Sequence, residues 1–81
     1  MDRHIVQAGN IVVPALLAVE SLGFVVEVKG GSIRARLGHE EYVAEDPVAL
    51  LGLIRLVELR SWDWDASDAQ IDVVLRRYGW G

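Results

Sequence analysis

Two glycine-containing bends near the middle of the chain constrain its fold more than any other feature. Residues 24–45 carry alternating apolar and charged side chains, interrupted at Gly30-Gly31 and again at Gly38-His39. Glycine adopts, without steric cost, the positive φ that two-residue hairpin turns require. Folding the segment at both bends brings three runs of residues alongside one another. The segment therefore predicts a three-stranded antiparallel meander.

Side chains along this predicted meander separate into two faces, because strand residues alternate in direction. The register places Glu27 opposite Arg34 on one face. It also places Arg36 opposite Glu41 on that face. The other face is apolar except for Glu40 at a turn. Its apolar members are Phe24, Val26, Val28, Ile33, Ala35, Leu37, Tyr42 and Ala44. A slip of one residue would turn charges inward, so we expect one wet face and one dry face, with helices covering the dry one.

The first predicted helix precedes the meander and covers about residues 10–22. Gly23 is suited to end it, because glycine readily adopts the left-handed conformation after a helix. Pro14 leaves two alternatives open: it begins the helix, or it kinks a longer helix that starts as early as Asp2. The apolar run within this segment, residues 11–19, is shorter than the ~20 residues that cross a bilayer. It also lacks the basic face of an interfacial helix, so no membrane role is expected.

The second predicted helix follows the meander and reaches Arg60. Asp46 suits its N-cap and Pro47 its first helical position. Most of its circumference is apolar. Small or polar residues occur only at Gly52, Arg55, Glu58 and Arg60, and the first three of these form one narrow stripe. A helix that is apolar nearly all round is buried on several sides. The sheet accounts for one side, so another element is expected to cover a second.

The third predicted helix is the element expected to provide that cover by packing beside the second. Ser67 and Gln70 form a capping box at its start, and Gly79 ends it. Apolar residues recur at helical spacing: Ile71, Val74, Leu75 and Tyr78. Asp72 and Arg76 stand four apart with the acid first, which is the better orientation for an ion pair. The predicted fold is therefore α+β, in the order α-β-β-β-α-α, as one domain of 81 residues.

The connection between the second and third helices carries two tryptophans and nearby acids. One or both of Trp62 and Trp64 are expected to fill the corner between the helices, where each would bury a large area. The alternative is that they form a partner-binding surface together with Asp63, Asp65 and Asp68. Aromatic residues flanked by charge often anchor protein interfaces. The acids would then favour a basic partner.

Metal and cofactor chemistry find little support in the sequence. A calcium loop beginning at Asp63 would need glycine at its sixth position and glutamate at its twelfth. Those positions hold Asp68 and Val74. His4 and His39 are the only histidines, and there is no cysteine, so one chain lacks the three or four ligands of a zinc site. No metal and no cofactor are expected.

Catalysis is likewise not expected. None of the four serines stands in a G-x-S-x-G elbow; they are Ser21, Ser32, Ser61 and Ser67. Glu41 is predicted to pair with Arg36 and Asp46 to cap a helix, so neither is free for acid–base work. The chain is therefore predicted not to be an enzyme. A small hydrolase with an unrecognised site is kept as an alternative, and it would need a cleft that contains a carboxylate, serine or histidine.

The order of elements over residues 10–60 resembles that of double-stranded RNA-binding domains, in which a helix precedes a three-stranded antiparallel sheet and a second helix. The resemblance implies nucleic-acid binding. That family has a basic, Lys-rich motif at the start of its second helix, which contacts phosphates. The matching position here is acidic, with Glu45 and Asp46 before Pro47. Because electrostatics dominate nucleic-acid affinity, nucleic-acid binding is an alternative and not the expectation.

Composition favours a role in protein–protein interaction. Hydrophobic residues make up 52% of the chain, enough for a core with apolar surface left over, and leftover apolar surface usually marks a partner. A homodimer through an apolar helix surface is one expectation. The net charge of −4 works against unspecific nucleic-acid binding, and the absence of cysteine fits a cytoplasmic location. We therefore expect a non-catalytic interaction module, such as an immunity protein, antitoxin, secretion chaperone or assembly adaptor.

Overall fold

A computed structural model describes residues 3–81, and its elements follow the predicted order. The helical elements are a 3₁₀ turn at Gly9–Ile11, α1 at Val12–Ser21, α2 at Pro47–Arg60 and α3 at Asp68–Tyr78. The strands are β1 at Val25–Lys29, β2 at Ser32–Leu37 and β3 at Glu40–Ala44. The strands form one antiparallel sheet in the order β1-β2-β3. The predicted α+β class and the α-β-β-β-α-α order are confirmed.

The register of the sheet is the one predicted from the two bends. Glu27 pairs with Arg34 across β1 and β2, and Arg36 pairs with Glu41 across β2 and β3. Gly30 and Gly38 both have φ of 61°, and they stand first in their two-residue turns, where a type II′ turn needs a positive φ. A residue with a side chain would be strained at either position.

The two charge pairs of the wet face differ in their contacts. The Arg36 guanidinium donates from Nε to the Glu41 carboxylate at 2.7 Å, with both side chains largely exposed. Arg34 is half-buried, and its Nε has no hydrogen-bond partner. Within residues 3–81, Glu27 and Arg34 therefore face each other in register without a close ion pair. An exposed ion pair stabilises by at most ~1 kcal/mol, so the register depends mainly on which face is buried.

The core lies between the dry face of the sheet and two helices, α1 and α2. Its buried members are Val19, Phe24, Ile33, Ala35, Tyr42, Leu50 and Ile54. Val19 and Leu50 are fully buried, one from each helix. Val28 and Leu37 belong to the predicted dry face but remain 73% and 42% exposed. Both stand at strand ends beside turns, so that prediction was wrong for the two ends of the sheet.

The first helix begins later than the longer alternative required. Residues 3–8 contain no helix, and α1 starts at Val12 after the 3₁₀ turn. Asp2 lies outside the described residues. Pro14 is the third residue of α1, in the first turn, where its missing N–H is not needed. Pro14 therefore helps to begin the helix and does not kink it. Gly23 follows the helix with φ of 96°, as a glycine stop requires.

The third helix lies away from the core, and the prediction that it packs beside α2 was wrong. It forms no extended packing with the sheet or with α1 and α2. Every residue of α3 is exposed except the half-buried Leu75. The radius of gyration is 15.2 Å, whereas a compact domain of this length has about 12 Å. The chain therefore extends beyond its small core.

The turn at Ser61 explains this departure. Ser61 follows α2 with φ of 59° and ψ of −170°, a conformation that non-glycine residues rarely adopt. The helix stops abruptly there, and residues 61–67 continue as an exposed connection without regular structure. No pattern of hydrophobic residues would have indicated this bend.

Candidate protein-binding surface

The connection between α2 and α3 is held by one side chain of α2. The Arg60 guanidinium donates from Nε to the Trp64 carbonyl at 2.7 Å and from Nη2 to the Asp65 carbonyl at 3.1 Å. The Ser61 hydroxyl accepts the Asp63 amide at 3.4 Å. These bonds satisfy backbone carbonyls that would otherwise be left to water. They fix the path of the connection and so help to position α3.

The two predicted tryptophans lie on this connection, and neither fills a corner between α2 and α3. The Trp62 ring stacks on the Tyr42 ring, with centroids 5.5 Å apart and planes 25° apart. Tyr42 in turn meets Phe24 edge-on at 5.6 Å. Trp62 is nevertheless 56% exposed, and Trp64 is 45% exposed. Trp62 therefore touches the edge of the core with one part of its ring and leaves the rest accessible.

The three acids predicted to accompany these tryptophans are also exposed. The Asp65 carboxylate accepts the amide of Ala66 at 2.9 Å. Asp68 is the first residue of α3, where a negative charge is favourable near the helix N-terminus. Asp63 uses only its backbone amide in the bonds above. Residues 3–81 bring no three acidic, histidine or cysteine side chains together in a way that could hold a metal ion.

The third helix is well specified at both ends despite its exposure. The Ser67 hydroxyl accepts the Gln70 amide at 3.1 Å, and the Gln70 side chain accepts the Ser67 amide at 2.9 Å, which completes the predicted capping box. Gly79 ends the helix with φ of 68°. The Arg76 guanidinium reaches the Asp72 carboxylate at 2.7 Å. These local interactions stabilise α3 as a helix without contact from the core.

One side of α3 is apolar and uncovered, and we call it the α3 surface. Its members are Ile71, Val74, Leu75, Tyr78 and, just past the helix, Trp80. All of these side chains are exposed except that of Leu75, which is half-buried. Trp80 stays near the helix because its amide donates to the Leu75 carbonyl at 2.9 Å, and its ring lies 5.5 Å from that of Tyr78. An apolar stripe of this kind normally packs against other apolar side chains.

A groove of about 630 Å³ runs beside this surface. Arg60 at the end of α2 and Ala66 of the connection border it on one side, while Val73 and Val74 of α3 and Trp80 just past the helix border it on the other. The groove therefore joins the two parts of the molecule that follow the core. The predicted contact set stopped at Asp68 and missed Trp80 and the apolar side of α3. The helical spacing of apolar residues, together with a further tryptophan at position 80, was the signal that could have included them.

A second, smaller cleft of about 340 Å³ lies at the edge of the core. Glu40 and Glu58 border it together with Tyr42 and apolar side chains. The Tyr42 hydroxyl donates to the Glu40 carboxylate at 3.1 Å. Burial raises the pKa of Tyr42, and the hydrogen bond to Glu40 and the charges of Glu40 and Glu58 raise it further. The cleft contains carboxylates, so the minimum that a hydrolase would need is present, although no serine or histidine borders it.

The basic side chains of the sheet share its wet face with acids. They are Lys29, Arg34 and Arg36. Arg36 is bound to Glu41, and Glu27 stands opposite Arg34 in the register. At the start of α2 the Asp46 carboxylate accepts the Ala49 amide at 2.8 Å, so an acid occupies the position where the RNA-binding family has its basic motif. Neither surface favours phosphate binding.

Comparison of the chain with protein-family models, with curated proteins and with solved structures finds no match. The assignment of a site therefore depends on the chain's own residues. Of the helices between residues 3 and 81, none has both the length and the apolar character needed to cross a bilayer.

Proposed function

We propose that this protein is a non-catalytic protein–protein interaction module that binds its partner through the α3 surface. The observation that carries the proposal is a helix that is capped at both ends and whose apolar side remains uncovered. Hydrophobic burial is the main favourable term in both folding and association. An amphipathic helix that does not use its apolar side for folding is available to use it for binding.

The total surface of the chain supports the same proposal. The accessible surface is 6611 Å², whereas a compact monomer of 9.0 kDa would expose about 4800 Å². The excess is about 1800 Å², and a standard interface buries about 800 Å² on each partner. The longest runs of exposed residues are 3–10 and 61–81, and within the second run only Leu75 is half-buried. The exposed segment after Arg60 is therefore one of the two places where this excess surface lies.

The chemistry of this surface suits a partner with an apolar groove. Amphipathic helices bind such grooves through side chains at positions i, i+3, i+4 and i+7, which is the spacing of Ile71, Val74, Leu75 and Tyr78. Tyrosine and tryptophan are among the residues most enriched in energetically dominant contacts. The exposed acids Asp63, Asp65 and Asp68 would add a preference for basic residues at the rim.

Immunity proteins, antitoxins, secretion chaperones and assembly adaptors all work by binding another protein, and the proposal covers this class as a whole. A cytoplasmic location is part of the proposal and is supported by the absence of cysteine, which fits a reducing compartment.

Site-specific photocrosslinking in cells tests the proposal. The photoreactive residue p-benzoylphenylalanine would replace Tyr78 on the α3 surface or, as the matched control, Val25 on the wet face of the sheet, where the side chain is 73% exposed. We expect a discrete adduct from position 78 and none from position 25. The mass of the adduct separates a second copy of this chain from a different protein. Adducts from both positions, or from neither, would contradict binding through the α3 surface.

A further inference from the structure

We propose that the cleft bordered by Glu40, Tyr42 and Glu58 binds an arginine side chain of a protein partner. This inference goes beyond the proposed function, because the cleft lies at the edge of the core and not on the α3 surface. It holds whether or not α3 binds a partner. The cleft has a volume of about 340 Å³, near the lower end of the ~300–1,000 Å³ of ligand pockets. That size suits one inserted side chain.

Most of the residues that border the cleft are apolar. Phe24 and Ile54 are buried members of the core, and Val57 borders the cleft beside them. Leu22 and Leu37 also border it, and both are exposed. Arginine carries its charge on an apolar stem, which these side chains would cover. A small free cation would leave the two leucines in water, whereas the residues that flank an arginine in a protein would cover them, so the occupant is assigned to a protein.

The polar groups of the cleft are hydrogen-bond acceptors. Glu40 and Glu58 each bring a carboxylate, and Tyr42 brings a hydroxyl. The hydroxyl donates its one proton to the Glu40 carboxylate at 3.1 Å, so its oxygen is left to accept from a ligand. Among residues 3–81, no arginine, lysine or histidine borders the cleft. The cleft therefore offers negative charge and acceptors, which a ligand complements with positive charge and donors.

Both carboxylates lie near the Tyr42 hydroxyl. Burial raises the pKa of Tyr42 most, followed by the hydrogen bond to Glu40, and the charges of Glu40 and Glu58 raise the pKa further. The hydroxyl is therefore close enough to both carboxylates to respond to their charges. Glu58 also pairs with Arg55, but at 3.7 Å and with both side chains exposed. Exposed pairs of this kind contribute little, so Glu58 stays available to a second cation.

The guanidinium of arginine suits this arrangement better than the ammonium of lysine. Glu40 is the first residue of β3 and Glu58 belongs to α2, so the two carboxylates come from different elements. A guanidinium presents five N–H donors in a planar fork, whereas an ammonium presents three around one atom. The fork can reach acceptors on two sides at once. A guanidinium is also more weakly hydrated than an ammonium, so it loses less when it leaves water.

A titration followed by NMR with two matched peptides tests the inference. The probe is acetyl-Leu-Arg-Leu-amide, and its control carries citrulline, a neutral side chain of nearly the same shape, in place of arginine. About 0.15 M salt limits the range of other charges to about 8 Å. We expect saturable shifts of the amide signals of Glu40, Tyr42 and Glu58 with the arginine peptide. The citrulline peptide should bind about ten-fold more weakly or worse, because it lacks the charge. The small cation n-butylguanidinium should also bind about ten-fold more weakly, because it leaves Leu22 and Leu37 uncovered.

Three variants separate direct contact from the effect of net charge. Glu58→Gln should weaken binding of the arginine peptide about five-fold or more, because it removes one of the two carboxylates. Glu27→Gln is the matched control, since it makes the same change in net charge on the exposed wet face of the sheet, and it should leave the affinity unchanged. Arg55→Gln breaks the same ion pair as Glu58→Gln but should strengthen binding about two-fold, because it removes a cation that competes for Glu58. Unchanged amide signals away from each substitution confirm that the fold is retained.

Four results would overturn the inference. Equal affinity for the arginine and citrulline peptides would show that the cleft does not recognise charge. Equal loss of affinity in Glu27→Gln and Glu58→Gln would show that only net charge matters. Binding of n-butylguanidinium as tight as that of the peptide would assign the cleft to a free cation. Absence of shifts at Glu40, Tyr42 and Glu58 would exclude the cleft itself, and it would leave the proposed binding through the α3 surface standing.

Discussion

The backbone amides of α3 are expected to exchange with solvent much faster than those of β2 when the protein is dilute. Each α3 amide is protected only by its own helix, because the helix does not pack on the core. Amides of β2, such as that of Ala35, lie in the central strand of the sheet, and Ala35 itself is fully buried. Exchange from the core requires global unfolding, whereas exchange from α3 requires only local opening.

The structure sets the size of this difference. A helix of 11 residues is marginal by itself, since isolated helices shorter than ~12–15 residues are scarcely stable in water. The capping box adds about 1 kcal/mol, and the Asp72–Arg76 pair adds about 0.3–0.5 kcal/mol. Local opening then costs about 1.5 kcal/mol at most, or about ten-fold protection. For 81 residues global unfolding costs about 4–12 kcal/mol, so protection in β2 should reach about a thousand-fold or more.

Hydrogen–deuterium exchange measured at two protein concentrations checks this expectation. At low concentration the α3 amides should exchange within about ten-fold of the rate of an unstructured chain. At high concentration they should slow, while β2 is unaffected, if α3 is covered by a second copy. Protection of α3 equal to that of β2 in the dilute sample would refute the reasoning, because it would mean that α3 packs on the core of its own chain.

Three further changes probe the core, its edge and the bend after α2. Leu50→Ala, at a fully buried position, should lower the free energy of unfolding by about 2–5 kcal/mol, as measured by unfolding in urea. In the same measurement Leu59→Ala, at an exposed position of the same helix, should change it by less than about 0.5 kcal/mol. The pKa of Tyr42 is raised in the folded state, so above about pH 10 the unfolded state loses this proton before the folded state does. The free energy of unfolding of the wild type should therefore fall in that range relative to that of Tyr42→Phe. Equal slopes of the free energy of unfolding against pH for the two proteins would contradict this. Ser61→Gly should raise the free energy of unfolding by about 1 kcal/mol, because glycine relieves the strain at φ of 59°; a loss of stability would show that Ser61 is not strained.

The sheet was predictable because two independent local signals agree. Glycines at 30 and 38 fix the turns, and the alternation of charged and apolar residues fixes which face is buried. Glu27 and Arg34 would have to be buried in any register shifted by one residue. The ends of the sheet were not predictable in the same way. Val28 and Leu37 satisfy the alternation, yet their burial depends on how far α1 and α2 reach over the sheet, and no local pattern specifies that distance.

The residues of the proposed partner-binding surface were only partly predictable from the sequence. Trp62, Trp64 and the nearby acids attract attention because aromatic and charged residues alternate over a short stretch, and the structure leaves them exposed on one connection. The stacking of Trp62 on Tyr42 joins residues that are far apart in the chain. Periodicity cannot reveal such a contact, because it reports only relations between neighbours in sequence.

The third helix shows where reasoning from periodicity ends. Its capping box, ion pair and glycine stop are all local and were all predicted correctly. Its apolar spacing correctly indicates that one side can be buried, but the same spacing fits a contact within the chain and a contact between chains. Which of the two contacts forms depends on the direction in which the chain leaves α2. That direction is set by the positive φ of Ser61 and by the hydrogen bonds from Arg60 to the carbonyls of Trp64 and Asp65. Two residues with no hydrophobic character thus turn a helix that could have completed the core into one available to a partner.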